Sequence, residues 1–437
     1  MSNGFVLERY TESLGFVNDR KFEVGSKQTV LKVFLVDTLV YWISATKIKR
    51  SSVKVNLFSV AATLIGDVQI REIGTFQTGD IEMDQFEVVN SPDKRHWAIL
   101  SFGVAGQRIR EMLGTEVWQL TAGVHDNEVQ STFVLVSDRW SPSDLVWKSV
   151  VMNDSGKVFA IFEDRDYGGT GFLGGRKQMN HFHWIRSNGD SLKLGEFVIE
   201  GTVMDALAIL HTQTQAVQIF GYYNTGKGLG IDGYFVGGYW NQDQLTWHQF
   251  PFSESSARQF TGLGSLKRNE RPENYYIRNV VPLSHGGWLM LSEQFYESRQ
   301  METYYVNGVP QTSSKLFYHY GDIALQYLKK EGSLDSLIMV RKTQVGALNV
   351  SHLFGFGMYV CGNSVNLLYN DDEGEINRIM HVKVDKTYKL ERDWLFRNEN
   401  TPGTIVPYEG KQTDYGLITL PIYRDKQWFW LQVFSND

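Results

Sequence analysis

Short apolar runs that alternate with polar residues recur along the whole chain, and turn-forming residues separate them. Lys32 to Val36 is followed across Asp37-Thr38 by Leu39 to Ile43, which is the pattern of a β-hairpin with two short strands. Helical spacing of apolar residues is nearly absent; Gln107 to Leu113 could form one short helical turn, and an extended strand suits this segment equally. The pattern therefore predicts an all-β protein.

The hairpins recur at a nearly regular interval. Their turns are marked by residues 37, 93, 154, 213, 285, 355 and 410, so that successive turns lie 55 to 72 residues apart. A unit of about sixty residues holds four short strands, which is one blade of a β-propeller. We therefore predict a seven-bladed β-propeller of four-stranded antiparallel blades in a single domain. A pair of β-sandwiches is the alternative, because evenly spaced strands suit that architecture too.

The predicted blades divide the whole chain. They cover approximately residues 29–82, 83–145, 146–200, 201–270, 271–346, 347–398, and 399–437 together with 4–10. A turn between the third and fourth strands is expected at residues 187–190, 241–243 and 330–333. The last unit has one strand too few, while Phe5 to Tyr10 is a spare strand at the other terminus. Pairing of the N-terminal strand with the last blade would close the ring and remove exposed strand edges.

Composition supports strands and excludes several classes of site. Aromatic residues make up 14% of the chain, and 41 Gly against 9 Pro indicate many tight turns. Forty-three basic and 49 acidic residues give a net charge of −6, which favours a soluble protein and argues against a nucleic-acid surface. Cys361 is the only cysteine, so neither an intrachain disulfide nor a cysteine-based zinc site is expected. Neither a signal peptide nor a transmembrane segment is predicted.

Several short motifs resemble cofactor or metal sites. Gly169 to Gly174 has the letters of a dinucleotide fingerprint, but no helical pattern follows to hold the pyrophosphate. Asp164, Asp166 and Gly168 form half of a calcium loop, and Asn370 to Gly374 reads as an acidic hairpin tip. His181 and His183 share one face of a strand, yet two ligands do not make a metal site. We therefore assign no cofactor and no metal.

Two carboxylates and three long segments are the remaining functional candidates. Glu293 and Asp322 could perform general acid and base chemistry if they lay close together in different environments, although structural hydrogen bonding is the favoured role. No known catalytic motif is present, so no catalytic residue is assigned. Three long segments are expected to be loops, namely Asp164 to Asn180, Asn224 to Gly238 and Ser298 to Ser314. Loops on a rigid scaffold often carry function.

The middle of the chain carries a family resemblance. It rests on a run of segments that begins with Tyr276 to Leu283 and Gly286 to Tyr296 and continues with Tyr318 to Ile323 and Glu331 to Leu334. The segment Met152 to Glu163 has the same pattern of strands and turns. Over roughly residues 130 to 370, the chain resembles a group of uncharacterised β-propeller-like proteins from Bacteroidota. The resemblance implies a periplasmic or secreted location, because members of such groups usually carry export signals. It implies no activity and no catalytic residue.

The expected function is recognition. We predict a non-enzymatic binding or scaffold protein, a monomer, that presents propeller-face loops to a protein or glycan partner, with no nucleic acid involved. Abundant Tyr and Trp suit such a surface, because these rings bury large areas and keep a polar group. The alternative is a carbohydrate-active hydrolase or lyase that uses carboxylates near the central channel. Converging carboxylates would favour the enzyme, and a flat aromatic patch would favour binding.

Overall fold

The structure is a computed structural model. It describes residues 4–11, 14–49, 52–77, 86–104, 115–123, 129–137, 145–164, 181–188, 191–211, 213–226, 230–239, 245–263, 270–284, 286–306, 309–373, 376–395, 403–414, 416–424 and 426–434. The chain forms two compact units, residues 1–226 with 234–249 and residues 227–233 with 250–437. In the described ranges, no helix is long and apolar enough to cross a bilayer.

The described part of the first unit contains a hairpin and four antiparallel sheets, each with its strands hydrogen-bonded in chain order. The hairpin is β1 (Gly4–Tyr10) with β2 (Phe16–Glu23). The four sheets are β3 (Gln28–Val36), β4 (Leu39–Lys49), β5 (Ser52–Ala61) and β6 (Gln69–Gln77); β7 (Glu87–Asn90), β8 (His96–Val104), β9 (Thr115–Gly123) and β10 (Val129–Ser137); β11 (Leu145–Met152), β12 (Val158–Asp164), β13 (His181–Asn188) and β14 (Ser191–Glu196); and β15 (Thr202–Leu210), β16 (Val217–Asn224), β17 (Gly233–Tyr239) and β18 (Leu245–Pro251).

In its described residues, the second unit contains one α-helix and three sheets. They are α1 (Glu254–Thr261); β19 (Tyr275–Pro282), β20 (Trp288–Val306), β21 (Val309–Leu328) and β22 (Leu334–Val340), with β23 (Gln344–Ala347) also on β21; β24 (Gly357–Cys361), β25 (Ser364–Glu373), β26 (Ile376–Val384) and β27 (Leu390–Trp394); and β28 (Thr404–Ile405), β29 (Lys411–Asp414), β30 (Leu417–Arg424) and β31 (Gln427–Phe434). The 3-10 helices Leu348–Leu353 and Pro407–Glu409 precede β24 and β29.

Consecutive sheets within each unit pack face to face. One apolar cluster joins the first sheet to the second, another the second to the third, and another the third to the fourth. In the second unit, two clusters join its three sheets in the same serial way. Strands covered on both faces are buried along their whole length, as β12 is from Val158 to Asp164. The all-β prediction is therefore confirmed as a series of four-stranded antiparallel sheets.

The first-hairpin turns also join neighbouring sheets in the first unit. The backbone N–H of Asp93 donates to Asp154 Oδ1 at 3.0 Å, and the backbone N–H of Asp154 donates to Gln215 Oε1 at the same distance. Each bond spans 61 residues. The repeat seen in the sequence therefore corresponds to a repeated contact between equivalent turns.

Five of the seven predicted turns connect the first two strands of a sheet. Four are at residues 37, 93, 154 and 213, and the fifth lies between Pro282 and Trp288, where residue 285 itself is outside the described residues. The predicted turn at Gly355 is wrong, because this residue lies between a 3-10 helix and β24, and the hairpin turns at Gly362 and Asn363 instead. The predicted turn at Gly410 is also wrong, because Gly410 ends the 3-10 helix that precedes β29. The strands of all seven sheets lie within the seven predicted intervals to within one residue. The assignment of the whole chain to one domain stays a prediction.

The predicted pairing of the N-terminal strand with the last blade is wrong. In the described residues, β1 pairs along its length with β2 and with no strand of the last sheet. Phe5 and Phe22 lie against Trp42 of the first sheet, with ring centroids 5.6 and 4.9 Å away. A hairpin between neighbours in sequence needs only a short loop, so it costs less chain entropy than pairing with the other terminus.

Helix α1 was absent from the sequence prediction. Ser253 caps it by accepting a hydrogen bond from the Ser256 backbone N–H, and Gly262 ends it with a left-handed φ of 70°. Phe260 and Ala257 are its buried residues. These cap residues were available as signals, but the helix is only eight residues long and has just two apolar anchors in the core.

Candidate functional site

Glu293 lies in a buried ionic cluster in the second unit. Its side chain is completely buried, and Lys342 Nζ lies 2.8 Å from its Oε1. Its Oε2 accepts hydrogen bonds from Arg278 Nε at 3.2 Å and from the Tyr408 hydroxyl. Each carboxylate oxygen therefore has a cation beside it, and Oε2 also accepts two hydrogen bonds, so the buried charge is neutralised.

A β-bulge places Arg278 at this cluster. Glu293 on β20 is opposite Tyr276 on β19, and the register shifts between Ile277 and Asn279, which leaves Arg278 as the extra residue. A bulge bends its strand and re-aims the side chain of the extra residue. The guanidinium therefore reaches the carboxylate of the neighbouring strand.

Aromatic rings and amides surround the Lys342 ammonium. Its Nζ lies 5.9 and 5.8 Å from the ring centroids of Tyr320 and Tyr369, within the range of cation–π attraction, and donates to Gln344 Oε1 at 2.7 Å. Burial lowers the pKa of Lys342, while the neighbouring Glu293 carboxylate opposes that shift. Burial also raises the pKa of Tyr408, so its hydroxyl stays protonated and remains a donor to Glu293.

The same network links all three sheets of the second unit. Gln344 Oε1 also accepts from the Gly355 backbone N–H at 2.9 Å, and Gln344 Nε2 donates to the Asn370 carbonyl at 2.6 Å. The Asn370 amide in turn donates to the Ile405 carbonyl at 2.7 Å and accepts from the Ile405 N–H at 3.1 Å. The cluster around Glu293 therefore stabilises the packing of consecutive sheets.

Asp322, the second candidate carboxylate, binds the residues next to this cluster. Its Oδ1 accepts from the Lys342 backbone N–H at 3.1 Å, and its Oδ2 forms an ion pair with Arg341. Arg341 Nη1 also donates to the Phe260 carbonyl of α1 at 3.1 Å. The structure thus brings both predicted carboxylates to consecutive residues of one segment, but each has a different cation and a structural partner.

A second ionic cluster lies in the first unit. Lys148 Nζ lies 3.2 Å from Glu163 Oε2 and 3.6 Å from Asp205 Oδ1, and both carboxylates are buried. Lys148 is the extra residue of a bulge on β11, where the register shifts between Trp147 and Ser149. Two carboxylates from neighbouring sheets therefore converge on one ammonium, and the sequence reasoning did not identify this group.

A signal for both clusters was present in the sequence. Lys148 and Glu163 are 15 residues apart, and so are Arg278 and Glu293. In both hairpins the cation is the bulge residue of the first strand, and the acid is on the second strand. The repeated spacing marks equivalent positions, but only the pairing register reveals that the charges meet.

The two histidines on β13 have different environments. His181 is exposed, whereas His183 is buried and stacks on Phe162 with ring centroids 5.3 Å apart. Burial lowers the pKa of His183, and Glu196 opposes the shift. Among the described residues, no three His, Cys, Asp or Glu side chains are grouped as metal ligands.

Parts of the other candidate segments lie outside the described residues. These parts include Gly169 to Gly174, Asp166, Gly168 and all of Asp164 to Asn180 except its first residue. In Asn224 to Gly238, the described residues include Asn224, whose Oδ1 accepts from the Gly226 N–H at 2.6 Å, and the strand β17. In the acidic segment, Asn370 to Glu373 belong to β25 and pair with β26, so these residues form a strand where a hairpin tip was predicted, and Asn370 is buried. Gly374 lies outside the described residues.

The segment Ser298 to Ser314 is a long β-hairpin, where a loop was predicted. The strands β20 and β21 continue as a pair from Phe295↔Tyr320 to Val306↔Val309, which we name the arm. At about 3.4 Å per residue the arm is about 37 Å long. Met301 and Tyr305 are 75% and 72% exposed, so its outer part presents apolar side chains to solvent.

Aromatic packing orders the base of the arm. Tyr296 and His319 stack with ring centroids 4.3 Å apart, and the Ser298 hydroxyl lies 2.7 Å from His319 Nε2. Phe295 packs against Tyr320 at 4.9 Å, and β23 pairs with β21 from Phe317 to Tyr320. The base is therefore held from both sides, while only two strands continue beyond it in the described residues.

Comparisons with known proteins find only distant structural matches. No family model matches the chain, and no curated protein matches it. Among solved structures, a variant of Synechocystis apocarotenoid oxygenase is 8% identical with a TM-score of 0.34, covering 78% of this chain and 70% of that one. Trypanosoma rangeli sialidase is 10% identical with a TM-score of 0.30, covering 90% of this chain and 58% of that one. At these TM-scores, neither likeness carries an argument about the fold or the activity of this chain.

Proposed function

We propose that this protein is a non-enzymatic recognition protein that binds a partner protein through its arm. The exposure of Met301 and Tyr305 on an ordered hairpin carries the proposal. A two-stranded hairpin is marginally stable by itself in water, so its order depends on the aromatic base. Apolar side chains held in solvent on an ordered element are typical of an interaction site.

The chemistry of the arm favours a protein over a glycan. Methionine adapts its shape to apolar surfaces, and both Met and Tyr are enriched in protein interfaces. Lys315 and Glu302 form an ion pair of 2.7 Å across the arm, which leaves it without a strong charge of either sign at that place. An apolar patch on the partner is therefore the expected counterpart.

We further propose that the seven sheets are the blades of one propeller. Their four-stranded meander order, their spacing and the serial packing within each unit support this proposal. In such a fold the connections between second and third strands leave from the same face. The arm is a connection of this kind, between β20 and β21, which suits a recognition surface.

The alternative, a carbohydrate-active enzyme, has less support. Glu293 and Asp322 are bound to different cations, and Glu293 is completely buried. A general acid or base must reach the substrate directly or through one water. The carboxylates Glu163 and Asp205 converge, but they share the Lys148 ammonium and are buried as well.

The test compares an arm variant with a matched surface variant. The arm variant carries Met301→Ser and Tyr305→Ser, and the control carries Ile65→Ser and Val198→Ser, which are 73% and 82% exposed in the first unit. Proteins retained by the immobilised wild type would be identified, purified and titrated by calorimetry against all three forms. Hot-spot residues contribute about 2 kcal/mol or more, so the arm variant should bind at least about thirtyfold more weakly.

Three results would contradict the proposal. Equal affinity of the arm variant and the control would exclude the arm as the binding site. Binding to an immobilised oligosaccharide, lost in the arm variant, would assign a glycan instead. Depolymerisation of a polysaccharide by the wild type, lost on Glu163→Gln but not in the arm variant, would favour the enzyme.

A further inference from the structure

The junction between the first and second sheets differs from the two junctions that follow it in the first unit. At the later junctions, the first-hairpin turn of one sheet donates a backbone N–H to a side chain of the next turn. By that pattern the turn at Asp37 would donate to Asp93. The Asp93 carboxylate instead accepts from the Ser91 hydroxyl and from the Arg95 N–H within its own turn. In the described residues, no hydrogen bond joins the turn at Asp37 to the turn at Asp93.

A cavity of about 420 Å³ lies between these two turns. Both turns line it, with Leu35, Val36 and Asp37 from the first sheet and Asp93, Lys94 and Arg95 from the second. Small-molecule sites commonly have volumes of about 300–1,000 Å³, with apolar walls and a few polar groups. The two turns therefore leave between them a space large enough for a small ligand.

Charges of both signs line this cavity. Asp37 and Asp93 provide two carboxylates. Lys94 and Arg95 provide two cations, so the lining carries no net charge. In the part of the chain that the structure describes, the side chains of Asp37, Lys94 and Arg95 form no hydrogen bond and no ion pair. A ligand that carries a cationic and an anionic group could therefore pair with both kinds of side chain.

Lys94 occupies a position where glycine would be less strained. Its φ is 60°, and its N–H donates to the carbonyl of Ser91, three residues earlier. In the equivalent turns of the third and fifth sheets, the same bond is made by Gly156 and Gly286, whose φ values are 80° and 89°. A left-handed φ is less favourable for a residue with a side chain than for glycine, and such strain is often retained at binding sites. A role in ligand binding would explain a lysine at this position.

We propose that this cavity binds a small zwitterion, an α-amino acid with an apolar side chain. Its carboxylate pairs with Lys94 and Arg95. Its ammonium pairs with Asp37, and its side chain lies against Leu35, which is 48% exposed. The balanced lining favours a ligand that carries both charges over a ligand that carries only one. The site lies in the first unit, and the proposal does not depend on the arm.

The test titrates the full chain with L-leucine by calorimetry. Lys94→Gly removes the ammonium and relieves the backbone strain, so leucine should bind at least about tenfold more weakly while the Tm does not fall. Lys426→Gly is the matched control, because Lys426 is also a turn lysine with a left-handed φ, 64°, and does not line the cavity. This control should leave leucine binding unchanged.

Two analogues of leucine test the two charges separately. Leucinamide lacks the carboxylate, and N-acetyl-leucine lacks the ammonium. Each analogue should bind to the wild type at least about tenfold more weakly than leucine, because each loses one charge-assisted contact. Asp37→Asn should weaken the binding of leucine but not that of N-acetyl-leucine, since only leucine has an ammonium to pair with Asp37.

Each other result overturns the proposal. No binding of leucine to the wild type at millimolar concentration would exclude an apolar amino acid as the ligand. Equal affinity for leucine and N-acetyl-leucine would assign the cavity to an anion, and equal affinity for leucine and leucinamide would assign it to a cation. Unchanged leucine binding in Lys94→Gly, with a lower Tm, would assign Lys94 to the stability of its turn.

Equal weakening of leucine binding by Lys94→Gly and Lys426→Gly would also contradict the proposal, because it would assign the loss to backbone freedom instead of charge. If Lys94→Gly fails to fold, Lys94→Asn removes the same charge for the same comparison, since asparagine tolerates a left-handed φ.

Discussion

The buried Lys342–Glu293 pair allows a quantitative test of what holds the second unit together. Replacing Lys342 by Met removes a cation that is completely buried, and it leaves Glu293 with Arg278 and Tyr408 as donors. Removing one partner of a buried ion pair costs about 3–5 kcal/mol. Because Arg278 still neutralises the carboxylate, we expect the lower end of this range, about 3 kcal/mol. For a unit of this size that corresponds to a fall in Tm of about 6–12 °C.

A double-mutant cycle with urea denaturation is the appropriate assay. The cycle compares Lys342→Met, Glu293→Gln and the double variant. The double variant should lose about 2 kcal/mol less free energy of unfolding than the sum of the two single variants, because removing both charges leaves neither unpaired. Lys315→Met is the matched control, since its ion pair with Glu302 has side chains 57% and 43% exposed and should contribute less than about 1 kcal/mol. If Lys342→Met destabilises the protein no more than Lys315→Met, the ion cluster does not stabilise the sheets.

Two further predictions concern a histidine and a glycine. Burial lowers the pKa of His183 below its usual 6.5 against the opposing effect of Glu196, so the unfolded chain binds a proton at higher pH than the folded one. The free energy of unfolding should therefore fall as pH drops from 6.5 toward the folded pKa, by up to about 1.4 kcal/mol per pH unit. Urea titrations at pH 7.5 and 5.5 should show a smaller fall in the free energy of unfolding for His183→Gln than for the wild type. A fall of the same size in both proteins would exclude His183 as its source. Gly355→Ala should be about 2 kcal/mol more destabilising than Gly286→Ala. Both glycines have a left-handed φ, but a Cβ at Gly355 would lie 2.2 Å from the Tyr408 ring, whereas the nearest atom to a Cβ at Gly286 would be 3.8 Å away. Equal losses in thermal denaturation would show that the ring moves aside freely.

Local turn chemistry explains which parts of the fold could be predicted. Turns such as Asn153 to Gly156 were recognisable because Asn153 accepts bonds from its own loop and Gly156 adopts a left-handed φ of 80°. Gly355 has the same kind of φ, 86°, but it follows a 3-10 helix, so a glycine alone does not identify a hairpin. The pairing of β1 with β2 depends on where Phe5 finds an apolar surface, which alternation alone cannot determine.

The ionic clusters were less accessible from the sequence than the turns. Glu293 was identified as a candidate, but its partners Lys342 and Tyr408 are 49 and 115 residues away. The charge on a single residue does not indicate which distant residue neutralises it. The arm was also mistaken for a loop, because residues 298–314 are mostly polar and none of their described side chains is buried. An extended hairpin outside the core lacks the apolar signal on which strand prediction depends.

The hydrogen bonds between equivalent turns in the first unit have a consequence for how the protein can change. The bonds that join Asp93, Asp154 and Gln215 connect the first-hairpin turns of successive sheets, and each bond joins residues 61 positions apart in the sequence. Insertions in the connections at the opposite ends of the strands would leave these contacts in place. The fold can therefore vary the length and composition of those connections, as the arm illustrates in the second unit, without disturbing the spacing of its sheets. A sheet whose turns are fixed at one end of the strands and variable at the other end can acquire different binding specificities on one scaffold.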